Sequence, residues 1–298
     1  MSQALKVEAA FSSDAGVKPI NEDSAGVYVP EDEYMNTNKG VALVVADGVS
    51  SAEAGREASH TAVERFIEEY FQTPDTWSVA KCGEQILSTI NLKLFRKSHE
   101  FTSDTKGYLS TFSAIVIKGR TAHFFHVGDS RVFLLREGVL SQCTTDHVAS
   151  LGDGKTFLTR AIGMDNQLHL DYGRIPLEAH DRFLLCSDGI HDFITEETLI
   201  DTLSQNLPAS IISEQFLAKA LAGNSDDNIS AVVAKVEQLP YENLDDYSAK
   251  LTRLPFPPAL EKGMKLDGYV VQKELFASSR SQLYLVVDES TGQHYAMK

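Results

Sequence analysis

Four segments of this sequence place an aspartate beside a glycine, asparagine or serine where an apolar run ends or a polar loop begins. They are Val44-Val45-Ala46-Asp47-Gly48, His126-Val127-Gly128-Asp129-Ser130-Arg131, Leu184-Leu185-Cys186-Ser187-Asp188-Gly189 and Ser225-Asp226-Asp227-Asn228-Ile229-Ser230. Asn21-Glu22-Asp23-Ser24 adds two further acids just before a strand. Each Asp alone is an ordinary turn former. If the strands lie side by side, however, the carboxylates gather at one end of the sheets. Two unit charges about 4 Å apart repel by roughly 4 kcal/mol at an effective dielectric of about 20, so such a cluster calls for cations. Oxygen-only donors select hard ions such as Mg²⁺ or Mn²⁺, whereas zinc would want His and Cys spacings that the sequence lacks. Two such ions sharing a carboxylate can acidify a bridging water and clamp a phosphoryl group, which suits phosphate-ester hydrolysis.

The elements that must position these acids follow from periodicity. Residues 41–47 form an apolar run with both faces hydrophobic, the pattern of a strand inside a packed structure. Residues 5–11 and 25–29 read as two more strands, separated by a polar loop. Ser50-Ser51-Ala52-Glu53 has capping-box spacing for a helix bearing Ala58, Ala62, Val63, Phe66, Ile67, Tyr70 and Phe71 on one face. A second helix is expected over 75–98. Strands over 110–117, 121–127 and 131–136, with short connections, predict an antiparallel meander. Strands over 168–175, 182–186 and 229–236 and helical patterns within 195–207 and 209–222 complete the set. Strands that outnumber helices, with helices arriving in pairs, predict two packed sheets covered outside by helix layers.

Composition excludes several classes. A formal charge of -15 over 298 residues argues against coating nucleic acid or an anionic membrane. No apolar run approaches the roughly 20 residues that span a bilayer, and residues 1–6 lack a signal-peptide core, so a cytoplasmic location is expected. Cys82, Cys143 and Cys186 are odd in number and widely spaced, as reduced, buried thiols would be.

Taken in order, Asn21-Glu22-Asp23-Ser24, Ala46-Asp47-Gly48-Val49-Ser50, Gly128-Asp129-Ser130-Arg131, Leu158-Thr159-Arg160-Ala161-Ile162-Gly163, Ser187-Asp188-Gly189 and Asp226-Asp227-Asn228-Ile229-Ser230 resemble the motif set of the metal-dependent protein phosphatases, type 2C. The resemblance implies an α+β fold, a four-layer αββα sandwich of two mainly antiparallel sheets flanked by helix pairs. It also implies hydrolysis of phosphoserine and phosphothreonine in a phosphorylated protein substrate by a metal-bridging water. Position by position, Asp47 would bridge two divalent cations, Mn²⁺ or Mg²⁺, with Gly48 offering its carbonyl to one. Asp188 and Asp227 would complete the first ion's shell, Glu22 and Asp23 would hold metal-bound waters, and Asp129 with Asp188 would bind a third, weaker ion. Arg131 and Arg160 read as structural, paired with nearby acids. Two departures stand out. Lys18 takes the place where the family has a phosphate-binding arginine, giving a point charge without the bidentate fork. Val49 stands where some relatives carry a histidine, which leaves protonation of the leaving alkoxide to water.

Three regions are expected: a phosphatase domain over 1–238, a Pro-containing linker over 239–265, and a short segment over 266–298 of two or three strands. That segment resembles the opening of a protein kinase small lobe, with Tyr295-Ala296-Met297-Lys298 matching the strand that carries the ATP-pairing lysine. Phe276, Ser278 and Ser281 stand where that family has loop glycines. The resemblance implies a truncated kinase-like unit, which leaves two readings open: a phosphatase fused to a kinase, with a kinase on the same full-length chain as a partner, or a tail that serves some other purpose. Against the enzyme reading stands a catalytically silent phosphoprotein-binding module of the same fold, which the intact Asp47, Asp188 and Asp227 disfavour. A two-metal nuclease or phosphodiesterase is disfavoured by the acidic charge and the motif order.

Overall fold

The computed structural model describes residues 4–49, 54–99, 107–150, 156–242, 260–277 and 282–298. The chain divides into two compact units, 1–242 and 243–298.

The first unit runs β1 (Lys6–Asp14), β2 (Asp23–Tyr28), α1 (Glu33–Asn38), β3 (Val41–Asp47), α2 (Gly55–Gln72), α3 (Val79–Ser98), β4 (Phe112–Lys118), β5 (Thr121–Val127), β6 (Arg131–Arg136), β7 (Val139–Gln142), β8 (Val148–Ser150), β9 (Thr156–Leu158), β10 (Asp171–Pro176), β11 (Arg182–Cys186), α4 (Asp188–His191), α5 (Glu196–Leu203), α6 (Ala209–Ala222) and β12 (Ile229–Gln238). Its two large sheets are antiparallel, in the orders β1-β12-β11-β6-β7 and β10-β5-β4-β3-β2. β3 explains why the sheets stack as they do. Leu43 and Val45 face the core between the sheets, with Val232, Phe183 and Leu185 from the other side. Val44 and Ala46 face outward, under Ala58, Ala62 and Phe66 of α2 and Ile86, Leu87 and Ile90 of α3. A third apolar layer joins Leu184, Val233 and Ala231 to Ile212 and Phe216 of α6 and Leu199 and Leu203 of α5. The result is the expected four-layer αββα sandwich.

Local chemistry sets the helix ends. Ser78 caps α3 through Lys81 N–H at 3.2 Å, and Thr195 caps α5 through Thr198 N–H at 3.3 Å. The capping box read at Ser50–Glu53 lies outside the described residues, and α2 begins at Gly55 after Ala54, which makes no side-chain cap bond.

The structure corrects the meander. β4 and β5 form a hairpin within one sheet, but β6 belongs to the other. Gly128, at φ +108°, turns the chain from sheet to sheet, and a Cβ there would stand 2.6 Å from the Thr111 Cβ. Short connections and apolar periodicity do not distinguish a hairpin from a crossing between stacked sheets, because both need a tight polar turn. The helix α1 and the small β8–β9 pair are further elements that periodicity missed, each being too short to show a repeat.

Among its described residues the second unit carries four strands, not two or three: β13 (Lys265–Leu266), β14 (Tyr269–Ala277), β15 (Gln282–Asp288) and β16 (His294–Met297), paired in that order. Val271, Tyr284 and Val286 make a small buried cluster on this sheet. Ser278 and Ser281, and most of the stretch read as a linker, lie outside the described residues; Leu239 packs into the core between the large sheets of the first unit. Among the described residues no helix is long and apolar enough to cross a membrane.

Candidate active site

Strand register gathers the acids. Asp23 and Asp47 are cross-strand partners at the end of the β2–β3 pair. In the other sheet Cys186 pairs with both Arg131 and Ala231, so the end of β11 and the starts of β6 and β12 share one edge. Asp129, two residues before β6, Asp188, two after β11, and Asp227, two before β12, are thereby delivered to that edge. Ser187 ties the two sheets together, its Oγ donating to Asp23 Oδ2 at 2.7 Å. Asp47, Asp129, Asp188 and Asp227 then line one cleft of about 200 Å³, together with Val49, Thr111 and the β8–β9 residues Val148, Thr156, Phe157 and Leu158.

The remaining predicted residues sit behind or beside this cleft. Asp23 is buried behind Asp47. Gly48 is buried, with its N–H donating to the Glu22 carbonyl at 3.1 Å, and a Cβ on Gly48 would meet the Gly55 backbone at 2.3 Å. Glu22 is held through its main chain, its N–H donating to Asn228 Oδ1 at 2.9 Å; its carboxylate is not among the groups lining the cleft. Lys18 reaches in from the β1–β2 loop to form an ion pair with Asp227 Oδ1. Arg131 makes the expected acid pairing, forking onto Asp146 with contacts of 2.7 to 3.1 Å, and Arg160 pairs with Asp171 at 3.0 Å.

Several supporting residues were not visible as site residues in the sequence. Thr111 and Ser110 clamp Asp47 by its backbone: Asp47 N–H donates to Thr111 Oγ1 at 2.9 Å, and the Asp47 carbonyl accepts from Thr111 N–H at 2.8 Å and Ser110 Oγ at 2.9 Å. Asn228 is buried and braces three chain segments by accepting from Glu22 N–H and donating to the carbonyls of Ala15 and Ile20. Its place in Asp226-Asp227-Asn228 is the sole sequence mark of this role. His191 donates from Nε2 to the Asp129 carbonyl at 3.1 Å, which makes it a prop for that loop.

The electrostatics are those of crowded like charges. Burial pushes Asp23 up to about 7, opposed by hydrogen bonds from Ser187 and Ser230 and reinforced by Asp188 and Asp227. Loss of water, then Asp23, Asp188, Asp129 and Asp227, hold Asp47 well above the usual carboxylate range. Loss of water and Asp188 lift Asp129 to about 6, and loss of water and Asp227 raise Asp188. Burial works against the charge of Lys18, but its bond and attraction to Asp227, with Asp47 and Asp188 behind, outweigh that and raise its pKa.

Among the described residues no three His, Cys, Asp or Glu side chains close together into a ready-made cage for one ion. The acids line a shared cleft instead, and the donor chemistry fits hard divalent cations: the donors are oxygens, and Asp23 Oδ1 and Asp188 Oδ1 are buried without a hydrogen-bond partner. A buried anionic oxygen with no donor is costly, and a cation satisfies it.

Comparison with known proteins gives the same direction. A family model described as protein phosphatase 2C matches residues 21–224. The serine/threonine phosphatase stp of Listeria innocua is 26% identical over 250 residues, covering 77% of this chain and 96% of that protein. The serine/threonine protein phosphatase PstP of Mycobacterium tuberculosis is 28% identical over 253 residues, covering 80% of this chain and 46% of that one. The solved structure of M. tuberculosis PstP/Ppp superposes with a TM-score of 0.66 at 25% identity, covering 78% of this chain and 99% of that one. Staphylococcus aureus Stp1 superposes at 0.69 with 22% identity, covering 80% and 98%, a likeness of fold.

Proposed function

The chain belongs to the protein phosphatase 2C family and is a metal-dependent serine/threonine protein phosphatase, and we propose that its reaction runs at the cleft of Asp47, Asp129, Asp188 and Asp227. The observation that carries this reading is the convergence of four carboxylates from both sheets on one cleft, with a buried oxygen of Asp188 left without a partner.

Asp47, the Gly48 carbonyl, Asp188 and Asp227 would hold two divalent cations, Mn²⁺ or Mg²⁺, and Asp129 with Asp188 would offer a third, weaker position. When bound, these ions polarise the phosphoryl oxygens and acidify water at neutral pH. The chain supplies the rest. Ser110 and Thr111 fix the backbone of Asp47, so its carboxylate meets the substrate from a set position. Asp23, buried and adjacent, accepts a hydrogen bond from Ser187, and with Glu22 one residue away it would hold metal-bound water. Lys18 attracts the substrate phosphate as a point charge. Val49 lines the cleft without a titratable group, so the leaving alkoxide takes its proton from water.

Phosphorylated proteins are the substrate class. The second unit reads best as the opening strands of a kinase-like small lobe, with β16 leading into Lys298, and a kinase on the same full-length chain is the partner this implies. A cytoplasmic setting suits both. Release of phosphate from a phosphothreonine peptide that requires Mn²⁺ and stops on chelation tests the activity; a metal-indifferent rate counts against it.

A further inference from the structure

Asp227 Oδ1 receives two donors, the Lys18 ammonium and the Asn228 N–H, the latter at 2.6 Å. The backbone donor belongs to the next residue and cannot leave without unfolding the turn. The ammonium ends a flexible side chain and can leave by changing rotamer. Resting on the reading of Asp227 as a metal ligand, we propose that Lys18 is a resident counter-ion of the cleft, and that its ammonium and a divalent cation compete for the Asp227 carboxylate.

The loop carrying Lys18 is built to keep it there. Asn228 Nδ2 donates to the carbonyls of Ala15 and Ile20, both at 2.9 Å, and so anchors the loop on either side of Lys18 to the segment that bears Asp227. Gly16, at φ +61°, brings the backbone so close that a Cβ would stand 2.4 Å from the Asp227 carbonyl oxygen. Gly16 N–H is tied to Asp14 Oδ1 at 2.8 Å, and Lys18 N–H to the Ala15 carbonyl at 3.1 Å. Main-chain position is therefore set, and the departure of the ammonium needs only a change of Lys18 side-chain rotamer. Its ammonium is already paired with the Asp227 carboxylate, in the cleft that Asp47 and Asp188 also line. A single positive charge relieves part of the repulsion among these acids, and an incoming dication must displace it to use the same oxygen. Once displaced, the ammonium stays tethered beside the cleft, where it can meet an incoming phosphate. The lysine thus lowers metal affinity and links metal loading to the placement of the phosphate-binding charge.

Isothermal titration of MnCl₂ into the full chain, without substrate, tests this directly. Lys18→Met binds Mn²⁺ about fivefold more tightly than wild type, the change that about 1 kcal/mol corresponds to. Lys18→Arg, which keeps the charge, stays within about twofold of wild type on the same scale. If Lys18→Met is poorly folded, Lys18→Gln carries the same expectation. Thermal unfolding gives a second reading, in which Mn²⁺ raises the midpoint of the neutral variant more than that of wild type. A wild type that binds Mn²⁺ as tightly as the neutral variants overturns the competition while leaving the metal site standing. A wild type that takes up no Mn²⁺ overturns the reading of the site itself, and the competition with it.

Discussion

Asp23 and Asp47 stand directly opposite each other across the β2–β3 pair, and Ser187, from the other sheet, donates to the Asp23 carboxylate at 2.7 Å. Like charges in opposed positions of an antiparallel pair destabilise it. The sandwich therefore holds a local conflict at the point where its two sheets meet, in contact with the cleft. The partnerless Asp23 Oδ1 belongs to the same conflict.

Asp23→Asn removes one of these opposed charges. In chelator at pH 8 the variant is more stable than wild type by about 1 kcal/mol or more, the equivalent of a pKa shift of about one unit. Its Mn²⁺-dependent turnover falls at the same time. Urea unfolding midpoints measure the first effect, and an unchanged or lower midpoint contradicts it.

Lys18→Arg restores a planar, bidentate donor beside the cleft. KM for a phosphothreonine peptide at saturating Mn²⁺ is expected to fall by about fivefold, the worth of roughly 1 kcal/mol from one added charge-assisted hydrogen bond. An unchanged or higher KM counts against Lys18 as the phosphate anchor.

Asn228→Ala leaves Glu22 N–H and the carbonyls of Ala15 and Ile20 without their side-chain partner in a buried place. A loss of about 2–4 kcal/mol is expected from unsatisfied buried groups. Chemical denaturation reads that loss, and Mn²⁺ affinity measured by titration weakens with it because the Asp227 segment is no longer braced. A variant with wild-type stability would show that the three bonds are replaced by water at no cost.

The sequence carried the acids and the strands well, and the reasons are specific. β5, β6 and β11 lie where their apolar runs lie, because a run flanked by Gly-Arg, Gly-Asp-Ser or Ser-Asp-Gly has polar stops at both ends. The gathering of Asp47, Asp129, Asp188 and Asp227 also followed from strand ends alone. What stayed hidden depends on contacts between distant residues. Asn228 touches Glu22, Ala15 and Ile20 from more than 200 positions away, and nothing in its neighbours announces that reach. The passage of β6 to the second sheet turns on the backbone conformation of Gly128, which a Gly in a turn permits without dictating. The pairing of Lys18 with Asp227 likewise required the loop to be folded back by Asn228 before it could be seen.

His126 offers a pH test away from the acids. Burial, then His147, lowers its pKa from 6.5 to about 4, and its Nε2 donates to the Thr145 carbonyl at 3.0 Å. Between these values the unfolded chain takes up a proton that the folded chain refuses. The associated stability is therefore present above pH 6.5 and is lost as pH falls towards 4, up to about 3 kcal/mol. Urea unfolding at pH 7.5 and 5.0 should show a smaller loss in His126→Gln than in wild type, whatever the starting stability of the variant. Equal losses would mean that His126 titrates normally in the folded protein.

The most direct test of the account is the rate of phosphate release from a phosphothreonine peptide, measured at saturating Mn²⁺ for wild type and for Asp47→Asn. Asp47 lies in the cleft with Asp129, Asp188 and Asp227, and its backbone is fixed by Ser110 and Thr111. Wild type should turn over only with Mn²⁺ and stop in chelator. Asp47→Asn, though folded, should lose about 10³-fold or more, on the order of 4 kcal/mol of transition-state stabilisation. A folded Asp47→Asn protein that keeps the wild-type rate would contradict the central claim.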